Sequence, residues 1–179
     1  MRDVRDTDSA NVIDATARGA LNGGRIAVIV DCLLIAFIAL IAMANGLLSG
    51  VGEWFGYDGL TFQKVLGWVF SPVAWLIGVP WDEAAQAGTY IGEKTVLNEF
   101  VAYADFGPNV KNLSHQTVVV VTFALAGFAN FASIAIQIGS IGGLAPERRG
   151  DVAQLGLKAL LAGSLVNLAN AAIAGVVAT

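Results

Sequence analysis

Glu93, Lys94, Asn98 and Glu99 share one short stretch, GEKTVLNEFVA, from Gly92 to Ala102. Asn130 and Ser133 follow in GFANFASIAIQIG, three residues apart and so on one face of a helix. A carboxylate accepts from two hydroxyls at once, a carboxamide both donates and accepts, and a hydroxyl does either. Glu99, Asn130 and Ser133 therefore form an acidic-plus-neutral set suited to the hydroxyls of a sugar or a ribose. Plainer roles compete with this one. Glu99 can pair with Lys94 or with another helix, and Asn130 with Ser133 can simply join helices. Glu93 reads as a solvated residue.

These side chains interrupt an oily chain. Of its 179 residues, 56% are hydrophobic and 13% charged, with a mean hydropathy of +0.68. Soluble domains carry about a quarter of their residues as charges, so the chain reads as a helical integral membrane protein. Long apolar runs in place of alternating segments disfavour a membrane β-barrel. A net charge of −4 with scattered cations offers no patch for nucleic acid. The single cysteine, Cys32, allows no internal disulfide and no cysteine-paired metal site. His115 lies in a polar stretch, NLSHQ, as a solvated loop residue. No nucleophile–base pair or metal cluster marks an enzyme, and no cofactor is expected. The mixed charges Arg2, Asp3, Arg5, Asp6, Asp8, Asp14 and Arg18 leave no room for a signal peptide's apolar core.

The elements that must position the polar residues follow from the apolar runs. Residues 1–25 read as a cytoplasmic segment with an interfacial helix over Ala10–Gly24. A membrane domain fills 26–179. Its first span runs from Ile26 to Leu48, with Asp31 near its start, and ends at the aromatic cluster Trp54, Phe55 and Tyr57. The run Val65–Val79 covers only roughly 22 Å of a hydrocarbon core about 30 Å thick. Gly67 and Pro72 weaken it, and GVPWDE ends it with a turn. The helix expected over Glu83–Ala104 is too polar to face lipid. Short, interrupted arms of this kind predict a re-entrant hairpin at about 62–104, tolerated where it is buried in protein or faces a cavity. An exposed loop follows from Asp105 to Ser114, then a span from Val118 to Ile138, a glycine-rich loop, and a last helix from Val152 to Ala178.

Charge asymmetry orients these pieces. Arg2, Arg5, Arg18 and Arg25 precede the first span, and Arg148 and Arg149 lie between the last two. The positive-inside rule puts all of them in the cytoplasm.

GEKTVLNEFVA resembles the signature of the concentrative nucleoside transporters, G-x-K-x-x-x-N-E-F-V-A. Gly92, Lys94, Asn98, Glu99, Phe100, Val101 and Ala102 fill every specified position. GFANFASIAIQIG, GGLAPERR, NVIDATARGA and LIAFIALIA resemble further segments of the family in the same order, so the likeness covers essentially the whole chain. The resemblance implies an all-α membrane protein with transmembrane helices and one re-entrant helical hairpin, the C-terminal half of an inverted-repeat transporter. It implies a homotrimer in the inner membrane that carries nucleosides inward with a sodium ion or a proton. Substrate contacts are implied at Glu99, Asn130 and Ser133, with Asn98 and Phe128 beside them. The coupling-cation site is expected in the N-terminal half, since no GQTE-like motif occurs here. Ile29 and Asp31 depart from the family's usual Asn and Gly. The leading reading is therefore a nucleoside–cation symporter of which this chain forms the ribose-binding half. The alternative is a non-transporting membrane subunit that needs a separate N-terminal half.

Overall fold

The computed structural model describes residues 10–144 and 146–178. Arg2, Asp3, Arg5, Asp6 and Asp8 lie outside the described residues, as do Ala145 of GGLAPERR and Thr179. The described residues are helical, joined by turns, with no strand among them. The chain divides into two compact units, Met1–Met43 and Ala44–Thr179.

Helix α1, Val12–Trp54, begins at a reciprocal cap. The Asp14 amide donates to Asn11 Oδ1 at 2.9 Å, and the Ala10 amide donates to Asp14 Oδ2 at 3.0 Å. Two of the otherwise unpaired amides at the helix start are satisfied in this way. The expected interfacial helix and first span are one continuous helix here. Gly23 and Gly24 each cost roughly 1 kcal/mol against alanine, but neither removes an N–H and no proline intervenes.

In the second unit, α2 (Phe62–Leu76), α3 (Trp81–Val96) and α4 (Glu99–Asn109) fold back on one another in turn. Thr61 caps α2 by accepting from the Lys64 amide. The first reversal, between α2 and α3, uses Gly78 at φ +105° and then Pro80, with the two helices bent by 116°. A side chain at Gly78 would be strained, so glycine is required there. The second reversal falls at Leu97 and Asn98. Here the sequence predicts an unbroken helix over Glu83–Ala104, and the structure breaks it. Asn98 adopts an extended conformation, and its Oδ1 accepts from the Val101 amide at 2.9 Å, starting a new helix.

Pairs placed symmetrically about Asn98 show that α3 and α4 are antiparallel. The Tyr90 and Phe106 rings lie 5.2 Å apart edge to face. Nearer the open ends, Glu83 accepts from the Ser114 amide at 2.8 Å and from its hydroxyl at 2.7 Å. Asn98 and Glu99 thus lie at the tip of a helical hairpin formed by α3 and α4. The hairpin expected over 62–104 is two successive reversals that share α3.

The loop expected over Asp105–Ser114 is mostly helical: α4 runs to Asn109 and a 3-10 turn covers Val110–Asn112. The span expected over Val118–Ile138 is broken into α5 (His115–Leu125) and α6 (Phe131–Leu144). Helix α7, Arg149–Val177, runs antiparallel past both pieces. Cβ atoms added at Gly175, Gly163 and Gly156 of α7 would meet Val120, Ala129 and Ile134 in that order. Glycine along α7 is what lets the backbones approach so closely.

The core is built from small and medium side chains, among them Ala74, Ala84, Ala87, Ala124 and Ala171 around Tyr90 and Leu125. Large apolar side chains such as Trp68, Trp75, Phe100, Leu161 and Leu165 point outward. That inversion of the soluble pattern suits hydrocarbon surroundings. Among the described residues, Arg149–Val177 is one helix long and apolar enough to cross a membrane, and α2 with α3 passes the same test as a bent pair.

Candidate substrate site

Two helix starts meet at Glu99. The first is that of α4, where Glu99 is the first helical residue after its cap. The second is that of α6. Asn130 precedes α6, and its Oδ1 accepts from the Ser133 amide at 2.7 Å and lies 2.9 Å from Ser133 Oγ. The other end of the same carboxamide turns away from the helix, where Asn130 Nδ2 donates to Glu99 Oε2 at 2.7 Å. One side chain therefore starts α6 and joins it to the tip of the α3–α4 hairpin. Asn130 is buried, with 2% of its surface exposed, while Glu99 and Ser133 are half-buried and reachable.

The electrostatics follow from the breaks. A helix start carries a partial positive charge and unpaired amides, which favour an anion beside it. Two such starts flank the Glu99 carboxylate, which offsets part of the cost of holding a charge away from water. Lys94, itself buried, adds its charge from the preceding turn of α3. No ion pair within 4.0 Å joins Lys94 to Glu99; of the two plainer pairings expected for Glu99, the one present is with another helix, through Asn130.

The structure places the other candidates as follows. The Phe128 carbonyl accepts from Ser133 Oγ at 2.6 Å, while the residue as a whole is 73% exposed. Phe128 thus belongs to the cluster through its backbone, with an open aromatic face beside it. Asn98 is next to Glu99, but its side-chain oxygen is committed to the α4 cap. Tyr103 Oη donates to the Thr122 carbonyl at 2.8 Å, tying the hairpin to the end of α5. Phe128, Asn130, Ser133 and Gln137 also line a cleft of about 470 Å³ between α6 and α7, with Leu155 and Leu160 opposite. That volume falls in the range of small-molecule sites.

Three features escaped the sequence. Glu93, expected to be solvated, is 1% exposed inside the packing of α2, α3 and α4. Both breaks, before Glu99 and before Phe131, lie in runs that read as continuous helix. A signal was present for each: Asn98 stands three residues before Val101, and Asn130 stands three before Ser133. An Asn in that position is a helix start as well as a ligand.

Residues 2–175 match the family model for the Na+ dependent nucleoside transporter C-terminus. A Bacillus subtilis protein described as the uncharacterized transporter YutK is 60% identical over 93% of this chain and 41% of its own length. The putative nucleoside permease NupX of Escherichia coli is 44% identical over 95% of this chain and 42% of its own. Among solved structures, CNTnw in an inward-facing substrate-bound state superimposes with a TM-score of 0.87 and 54% identity, over 98% of this chain and 43% of that one. The chain spans about two-fifths of the length of these relatives.

Proposed function

The chain belongs to the Na+-dependent nucleoside transporter family, matching its C-terminal region, and on that premise we propose that it forms the ribose-binding half of a nucleoside–cation symporter. Membership supports a part in membrane transport. The observation that carries the finer reading is the hydrogen bond from Asn130 Nδ2 to Glu99 Oε2. It brings a carboxylate, a carboxamide and the Ser133 hydroxyl together where two helices are interrupted. A carboxylate with one oxygen held by Asn130 keeps its remaining lone pairs for incoming hydroxyls, and Ser133 supplies a further polar contact. Vicinal ribose hydroxyls match that set. The open Phe128 ring offers a face on which a flat base can stack.

Inverted-repeat transporters assemble their site at the membrane midplane from both repeats. The partner wall and the coupling-cation site, for sodium or a proton, belong in this reading to the N-terminal half. The assembly is a multi-pass homotrimer in the cytoplasmic membrane, and the α3–α4 hairpin is re-entrant, with Glu99 at its tip. Fusing the chain behind the N-terminal part of the Bacillus subtilis relative supplies the other half for a test. Vesicles containing the fusion should accumulate labelled uridine above equilibrium under an imposed sodium or proton gradient. Mere equilibration under both gradients would overturn symport.

The same reading fixes orientation. Arg148 and Arg149 face the cytoplasm, and the Lys111 region faces outward with the open end of the hairpin. A membrane-impermeant thiol reagent applied to intact cells should label Lys111→Cys and spare Arg148→Cys, in a background with Cys32 replaced. The reverse pattern would invert the topology.

A further inference from the structure

Glu93 takes no part in the cluster around Glu99. It lies on α3, inside the hairpin, 1% exposed, and its Oε2 has no hydrogen-bond partner. The groups that face it come from each neighbouring helix. From α2, the Gln63 side chain lies beside it, and Gln63 Oε1 accepts from Asn45 Nδ2 at 3.1 Å. From α4, the Asp105 carboxylate acts on it. From its own helix, Tyr90 is close enough to sense its charge. The neighbouring Lys94 directs its charge at Glu99 instead. Helix α5 brings no titratable residue beyond His115 at its start.

The facing set is wrong for an ion. A buried carboxylate needs a cation or a full set of donors. Glu93 has one amide beside it, a second carboxylate at Asp105, and an oxygen without a hydrogen-bond partner. A resident metal fits no better, because no group of three or more His, Cys, Asp or Glu able to hold one occurs among the described residues. A proton answers the two electrostatic difficulties. It removes the charge of a carboxylate sealed from water and ends the conflict with Asp105.

We propose that Glu93 is a proton-binding site, occupied in this conformation and separate from the substrate cluster at Glu99. Both residues ride on the α3–α4 hairpin, so a movement that opens the hairpin exposes Glu93 to water and lets the proton leave. The exchange is a simple balance, Glu93–COOH giving Glu93–COO⁻ and a proton to water or to the exposed Asp105 carboxylate. This inference does not rest on the ribose reading.

Infrared spectroscopy of the full chain in dodecyl maltoside micelles, which carry no carbonyl of their own, at neutral pH tests it without any transport. A carbonyl stretch of a protonated carboxylic acid should be present and should move to lower frequency in D2O. It should vanish in Glu93→Gln, which has the shape of the neutral acid, and persist in Asp105→Asn and Glu99→Gln. Glu93→Asp keeps an acid at the site and should shift the band rather than remove it, which covers the case of a Gln variant that does not fold. A wild-type spectrum lacking the band, or a band unchanged in both Glu93 variants, would overturn the proposal.

Discussion

Glu99→Gln is expected to weaken ribonucleoside binding about 10- to 150-fold in the transporter completed with an N-terminal half. Hydrogen bonds to charged groups contribute roughly 1.5–3 kcal/mol, and each 1.4 kcal/mol is a factor of ten. The geometry explains why an isosteric change should cost so much. Glu99 Oε2 is held by Asn130 at 2.7 Å. A glutamine can keep that bond through its own oxygen, but its other end becomes an NH2 group, which donates where a ribose hydroxyl also donates. Asn130 remains satisfied, so α6 should still start in place and the amount of protein in the membrane should barely change. A deoxynucleoside lacking one ribose hydroxyl should lose less, because part of the contact is already absent. Equilibrium binding of both ligands to wild type and variant makes the comparison. Equal losses for the two, with falling abundance, would make Glu99 a structural partner of its neighbours.

The second large effect concerns the helix that carries the hairpin tip. A Cβ at Gly88 would lie 2.7 Å from the Gly67 carbonyl oxygen and 2.8 Å from the Ser71 nitrogen. These are backbone atoms, so no rotamer change relieves the contact and α2 must move away from α3. Overpacking of this kind costs about 1–3 kcal/mol. Gly88→Ala should therefore lower the Tm in detergent and depress uptake, because α3 positions Glu99 one break further on. Gly46→Ala in α1 is the matched control, since nothing lies within 4 Å of its added Cβ and no proline follows it. Its stability should be unchanged or slightly higher, alanine being the better helix former. Equal Tm values for the two variants would show that α2 and α3 are not close-packed through Gly88.

What the sequence disclosed and what it hid have separate physical causes. Apolar runs, scattered arginines and the GEKTVLNEFVA stretch were sufficient for helices in a membrane and for Glu99, Asn130 and Ser133 as a set. These depend on composition and on local spacing. Helix breaks depend on something else. LNEFVA and GFANFAS lack proline, and hydropathy treats their asparagines only as polar residues in an oily run. In the structure each asparagine is spent on a helix start, Asn98 for α4 and Asn130 for α6. The same event brings the two starts together, and neither is complete as a site without the other. Position along the chain also misled for Glu93. It neighbours Lys94 in a polar stretch and so reads as solvated, yet the close approach of α2 through Gly67, Gly88 and Gly92 seals it from water. Burial of that kind is decided between helices, and no local pattern reports it.

If this chain reads the ribose of a nucleoside, competition for labelled uridine uptake will depend on the ribose hydroxyls. The fusion with the Bacillus subtilis N-terminal part is expressed in cells that lack their own nucleoside transport, and each unlabelled competitor is added in excess. Uridine should suppress uptake, whereas 2′,3′-dideoxyuridine, with the same base but no vicinal hydroxyls to offer Glu99, Asn130 and Ser133, should compete at least tenfold more weakly. Equal competition by uridine and dideoxyuridine would mean that Glu99, Asn130 and Ser133 do not bind ribose hydroxyls.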